Sequence, residues 1–127
     1  MDKFTSVAAR LLMSLIFIIA GFGKLTAYSA TETTFASLGL PWVALVTPLV
    51  ILLELGGGLA LLAGFQTRLI AGVLALYTIA TALIAHSHLS DQGQAIHFMK
   101  NLAIAGGFLL FVRYGAGAIS IDERKRR

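Results

Sequence analysis

Glu54 is the residue of this 127-residue chain best placed to do chemistry. It interrupts an otherwise uncharged apolar run from Trp42 to Gly64. An ionisable group at bilayer depth costs on the order of 2.5–3.5 kcal/mol on insertion scales, so it needs a partner or a function. Arg10 sits about two turns inside another apolar run, Thr5 to Gly23. At about 1.5 Å per residue the two differ in depth by only several ångströms, which an extended Arg side chain covers, so Arg10–Glu54 is the expected ion pair. A buried carboxylate beside a cation can hold a polar headgroup or relay protons, making these two the expected catalytic, proton-handling pair. The other ends of the runs carry a second set: Lys24 closing the first, His86 closing the third and Lys100-Asn101 opening the fourth. These four are the expected cofactor-binding residues, with His86 suited to donating a hydrogen bond or a proton. Lys100 reaches toward Glu54 if the second run starts near Pro48 rather than Trp42. The plainer alternative is that such charges fix helix register and orientation, or that Lys24, Arg68 and Arg113 snorkel at helix ends.

His86-x-His88, with Asp91 and His97 in the same polar segment, has the side chains for a metal site. The spacing does not specify one. Positions two apart on a helix point to nearly opposite sides, so the pair converges only if the helix ends at His86. No metal site is expected.

The elements that must position these residues are membrane helices. The composition is 57% hydrophobic and 13% charged, with no cysteine. Four apolar runs, about 5–23, 42–64, 69–85 and 98–114, approach the roughly 20 residues that cross a bilayer as a helix. They are apolar all round rather than along one stripe. A water-soluble domain, a disordered chain and thiolate chemistry are thereby excluded. The net charge of +4 does not signal nucleic acid, because the basic residues sit at the ends of apolar runs. Lys3 and Arg10 before Leu11–Ala20, with Ala27-Tyr28-Ser29 beyond, resemble a signal peptide, but the segment is expected to stay as the first span. The stretch from Lys24 to Pro41 is too polar to span. Ser29-x-x-Glu32 is a capping-box pattern, so a short interfacial helix is expected over Ala30–Leu38, with Phe35 and Leu38 dipping toward lipid.

An even number of spans puts both termini on one side. That side holds Lys3, Arg10, Arg68, Arg113 and the basic tail Arg124-Lys125-Arg126-Arg127, against Lys24 and Lys100 opposite. The positive-inside bias places both termini in the cytoplasm. Gly56, Ala60 and Gly64, Gly106 and Gly107, and Gly21 and Gly23 offer close-packing faces. The tight Gln66–Arg68 turn makes its neighbours antiparallel. The expected fold is all-α: one domain over 1–127, four transmembrane helices in an up-down bundle plus the interfacial helix, with a basic tail over 115–127.

Read in order, Arg10, Ala20-Gly21-Phe22-Gly23-Lys24-Leu25, Gly39-Leu40-Pro41, Glu54-Leu55-Gly56-Gly57-Gly58-Leu59-Ala60, Thr67-Arg68, His86, Phe98-Met99-Lys100-Asn101-Leu102 and Ser120-Ile121-Asp122 closely resemble the DoxX family of small bacterial inner-membrane proteins. The match covers essentially the whole chain. The resemblance implies a four-span protein of the bacterial cytoplasmic membrane linked to redox chemistry. Members are described as subunits of quinone-linked oxidoreductases such as thiosulfate:quinone oxidoreductase, or associated with quinone and aromatic detoxification and with oxidative-stress complexes. By position, Arg10, Lys24, Glu54, Arg68, His86, Lys100 and Asn101 are the family's polar motif residues; His88 and His97 are not.

Two functions compete. In the first, a quinone enters between helices, held by Lys100, Asn101 or His86, with Glu54 and Arg10 as proton acceptor and charge balance. The chain has no bis-His arrangement inside its spans, no nucleotide motif and no cysteine, so an oxidoreductase partner subunit is implied. In the second, the protein is a non-catalytic scaffold whose glycine faces and Arg-rich tail recruit a partner, a second copy or anionic lipid. A small transporter is a third, disfavoured because 127 residues leave no inverted repeat without dimerisation. A dry, fully paired Glu54 favours the scaffold; a cavity reaching it favours the ligand site.

Overall fold

A computed structural model describes residues 2–86 and 88–125; the Arg126-Arg127 end of the basic tail lies outside them. The described chain is all-α. The first span is α1 (Lys3–Thr26), capped where the Asp2 carboxylate accepts from the Thr5 amide at 3.3 Å. A break at Ala27 leads into α2 (Tyr28–Ser37). The second span, Val43–Ala63, comprises α3 (Val43–Ile51), a π-helical turn (Leu52–Gly56) and α4 (Gly57–Ala63). Then come α5 (Thr67–Ala85), α6 (Gln92–Tyr114) and the short α7 (Ile121–Lys125). Four helices are thus long and apolar enough to cross a membrane.

The helix boundaries shift from the sequence expectation by a few residues, and two of the shifts have clear local reasons. The polar helix starts at Tyr28, so Ser29 falls inside it and no side chain caps its start. Its threonines bond back along the helix instead, Thr31 Oγ1 to Ala27 O at 2.9 Å and Thr34 Oγ1 to Ala30 O at 3.0 Å. The last span starts at Gln92 rather than Phe98, because Asp91 caps it by accepting from the amides of Gly93 and Gln94.

Side chains pointing outward are apolar, among them Leu12, Leu76 and Leu109, as contact with lipid requires. The inward faces meet in a small core of Phe17, Leu61, Ala71, Leu74, Ala75, Ala105, Phe108 and Phe111. Register between the first two spans is set by close backbone approach. A Cβ on Gly21 would fall 2.7 Å from the Leu55 nitrogen, and one on Gly58 would fall 2.8 Å from Ile18 Cγ1. These contacts align α1 antiparallel to α3–α4 and determine which charge meets which.

That register overturns the Arg10–Glu54 pair. Arg10 is 2% exposed, but it lies against the far end of α4. Its Nη1 donates to Leu62 O at 2.7 Å and Leu61 O at 3.5 Å, and its Nη2 donates to Ile119 O. Leu62 is eight residues beyond Glu54, about 12 Å along a helix axis, which an Arg side chain cannot bridge. Arg10 instead takes up carbonyls at the α4 C-terminus, where helices leave them unpaired, and ties the chain after α6 to them.

The same tail closes the α4–α5 turn. Asp122 Oδ1 accepts from the Gln66 amide at 2.7 Å and Oδ2 from the Thr67 amide at 2.8 Å, while the Asp122 amide donates to Gly64 O at 2.9 Å. No side chain of its own segment caps α5, so Asp122 supplies that cap from the other end of the chain. Partial burial pushes the Asp122 carboxyl up, yet the hydrogen bonds from Thr67 and Gln66, with Lys125 nearby, leave it net below its ordinary value. A depressed carboxyl stabilises the fold fully above the unfolded value and loses that contribution as pH falls through the folded one. Thermal melts followed downward from neutral pH should therefore fall across and below the ordinary carboxylate range. Asp122→Asn should start lower and flatten that part of the profile.

Candidate functional site

The π turn carries Glu54 at its centre. Wide turns of this kind recur at functional sites because they displace a side chain from the regular helical path. Glu54 is 6% exposed and is held from two sides. Lys24, from the last turns of α1, places Nζ 2.8 Å from Oε1. Tyr77, from α5, donates its hydroxyl to Oε2 at 2.8 Å. The cation at Glu54 is therefore Lys24, as the Gly21–Leu55 contact dictates.

This trio lines a cavity of about 240 Å³. Phe17, Phe35 and Tyr77 give it aromatic walls, and Ile16, Ala20 and Ile104 flank it. Phe35 comes from α2, so the polar helix turns this ring toward the cavity rather than into lipid, while Leu38 is exposed. Beyond Glu54 the lining becomes polar. Asn101 Nδ2 donates to Thr81 Oγ1 at 3.1 Å and to Thr78 O at 3.3 Å. His86 lines the far end, its Nδ1 2.8 Å from Gln94 Oε1 and its ring stacked on His97 at 5.0 Å between centroids.

The cavity also has an edge on lipid. α1 and α6 touch through side chains on the tail side, where the tilted rings of Phe17 and Phe108 lie 5.5 Å apart and Met13 faces Gly107. Farther along, Ile16 both lines the cavity and is 41% exposed, so one wall of the cavity is a side chain that also faces lipid.

Of the residues expected to form a site, Glu54, Lys24, His86 and Asn101 come together here. Arg10 does not, for the reason of register given above. Lys100 does not either: it is exposed, in a shallow groove with Gln92, Ile96 and Met99 on the outer face of α6. Asn101 faces inward, and the preceding residue on a helix is rotated by about 100°, which carries Lys100 away from Glu54. Arg68 lies at the opposite end, in a more open cleft of about 430 Å³ with Gln66, Tyr114, Gly115 and Asp122. Among the described residues no three His, Asp or Glu side chains converge as metal ligands. The sequence reading missed Tyr77, Thr81 and Phe17. A signal was present, since Tyr77, Thr78 and Thr81 are polar at helical spacing in an otherwise apolar run that ends at His86.

Comparison with known proteins agrees with this architecture. The DoxX family model matches residues 5–87, from α1 to the end of α5. Inner membrane protein YqjF of Escherichia coli (strain K12) is 49% identical over 117 residues, covering 92% of this chain and 88% of that protein. Inner membrane protein YphA of the same strain is 40% identical over 121 residues, covering 91% and 86%. No solved structure matches the chain.

Proposed function

The chain belongs to the DoxX family and is a multi-pass inner-membrane protein, and from that premise we propose that it binds a quinone headgroup in the cavity at Glu54. The observation that carries this reading is the Lys24–Glu54–Tyr77 chain opening onto a ring-sized, aromatic-walled cavity with an edge on lipid. At about 240 Å³, the space falls below the roughly 300–1,000 Å³ of pockets that enclose drug-sized ligands. It suits a headgroup whose tail stays in the bilayer.

The donor set fits such a group. The Lys24 ammonium carries three donors and is ion-paired with Glu54. The Tyr77 oxygen, its proton going to Glu54, keeps acceptor capacity for the hydroxyl of the reduced quinol form. Phe17 and Phe35 supply faces for a flat ring. A bound quinone would supply two-electron, two-proton redox chemistry. The protein's share is to orient the ring, hold a proton at Glu54 Oε2 through Tyr77, and balance charge with Lys24. Electrons would come from a partner subunit. Both termini are assigned to the cytoplasm on the basic-residue asymmetry, Lys3, Arg68, Arg113, Arg124 and Lys125 lying opposite Lys24 and Lys100.

The scaffold reading keeps one observation in its favour, that both Glu54 oxygens are paired within the protein. Native mass spectrometry of the protein in nanodiscs of bacterial lipid separates the two. The quinone reading expects a retained mass matching a quinone. Glu54→Gln, which keeps the shape and the Tyr77 bond, should weaken retention about 10–100-fold, the worth of one charge-assisted hydrogen bond. Wild-type protein that carries no more quinone than empty discs, or carries a stoichiometric protein partner instead, overturns the reading in favour of the scaffold.

A further inference from the structure

The cavity is polar toward one end of the molecule only. On the tail side Phe17 lines the cavity and packs into the core with Leu61, Leu74 and Phe108, each at most 6% exposed, its ring tilted against Phe108 at 5.5 Å and against Tyr77 at 6.5 Å. In the other direction Asn101, Thr81 and His86 lead outward to the start of α6. The titratable groups facing the cavity are Lys24 of α1, Glu54 of the π turn and Tyr77 and His86 of α5, with His97 of α6 stacked on His86. From α2 the lining residue is Phe35. Arg10 and Asp122 lie beyond the core, locked into the tail contacts.

We propose that this cavity is a water-filled vestibule through which Glu54 and Tyr77 exchange protons with the side opposite the basic tail, and with that side alone. Its volume far exceeds the roughly 10–15 Å³ that one water needs, and its lining offers the several polar partners that hold water. His86 stands at the exit with one ring nitrogen engaged, its Nδ1 2.8 Å from Gln94 Oε1, and the other ring nitrogen, Nε2, is assigned to the path. A proton arriving from outside passes by way of His86 Nε2 and cavity water to the Glu54 carboxylate, and one leaving Glu54 retraces that path. This gives the proposed quinone site its proton side, yet its test needs no quinone.

The chain has no cysteine, so single cysteines report cleanly on access. Thr81→Cys and Ala85→Cys place a thiol in the cavity, Ala75→Cys in the core, Leu89→Cys at the exposed outer loop and Ala118→Cys in the exposed tail. Each is treated with a charged, membrane-impermeant thiosulfonate in sealed right-side-out and inverted vesicles. Cavity thiols should react from the Leu89 side only, the Ala118 position from the other side only, and the Ala75 position from neither. Cavity labelling from the tail side or from both sides overturns the proposal. So does absence of cavity labelling while the Leu89 position reacts. Should Thr81→Cys fail to fold, Ala85→Cys decides alone. One-sided labelling in protein that retains no quinone upholds the vestibule and sinks the quinone reading, so the two failures are distinguishable.

Discussion

Arg10→Ala is expected to detach the C-terminal segment and to cost at least about 3 kcal/mol of stability, a drop of roughly 10 °C in melting temperature. The magnitude follows from the number of groups one side chain serves. Its two terminal nitrogens satisfy Leu61 O and Leu62 O at the end of α4 and Ile119 O in the chain after α6. Hydrogen bonds to a charged donor contribute about 1.5–3 kcal/mol each, and truncation leaves their acceptors unpaired in a buried site. Arg10→Lys should fall between wild type and Ala, because a single ammonium cannot fork toward two strands of backbone as a guanidinium does. Melting in detergent micelles measures the loss. Limited proteolysis reports detachment directly, as new cleavage between Tyr114 and Asp122. If Arg10→Ala melts with the wild type and its tail stays protected, the buried guanidinium does not hold the fold.

Breaking the other intramembrane contact has a different signature, because Lys24 and Glu54 form an ion pair. Lys24→Met removes one partner and leaves a carboxylate buried at 6% exposure. The expected cost is about 2–3 kcal/mol, below the 3–5 kcal/mol of a fully buried pair because the Lys24 side chain keeps 27% exposure. Adding Glu54→Gln removes the stranded charge and keeps an acceptor for the Tyr77 hydroxyl. The double variant should therefore regain most of the lost stability, since replacing both members of a buried pair is often near neutral. Quinone retention should be weakened in both single variants and stay weakened in the double. Stability rescued without binding assigns the pair to a ligand site. A double variant that binds as the wild type does would make Lys24 and Glu54 dispensable for the ligand.

The contrast between Arg10 and Lys24 marks how far the sequence could be read. Both are cations on the first helix, Arg10 inside the first apolar run and Lys24 just past its end, and depth measured along rods of known rise favours Arg10 as the partner of Glu54. Choosing between them requires the sliding register of two helices. That register is decided by contacts between residues with no charge at all, Gly21 on Leu55 and Gly58 on Ile18. Lys100 and Asn101 pose the rotational version of the same problem. They are adjacent in sequence, yet one helix step separates an exposed ammonium from an amide that bonds Thr81 inside the cavity. Asp122 poses it at long range, since nothing local connects it with the amides of Gln66 and Thr67 that it caps.

Neighbours along the chain therefore settle a limited set of properties. Four apolar runs of spanning length, the asymmetric placement of Lys and Arg, and the costly carboxylate at Glu54 are each local facts, enforced by the energy of placing polar groups in hydrocarbon. Membrane-spanning all-α architecture follows from them, and the DoxX resemblance rests on the ordered motifs from Arg10 to Asp122. The tertiary structure alone decided the pairing of charges, the facing of Asn101 over Lys100, the entry of Tyr77, Phe17 and Phe35 into the site, and the tail's grip on the α4–α5 turn. Helices in lipid gain no hydrophobic energy from any one mutual orientation, so depth and rotation are settled by close packing of small residues and by hydrogen bonds between distant segments.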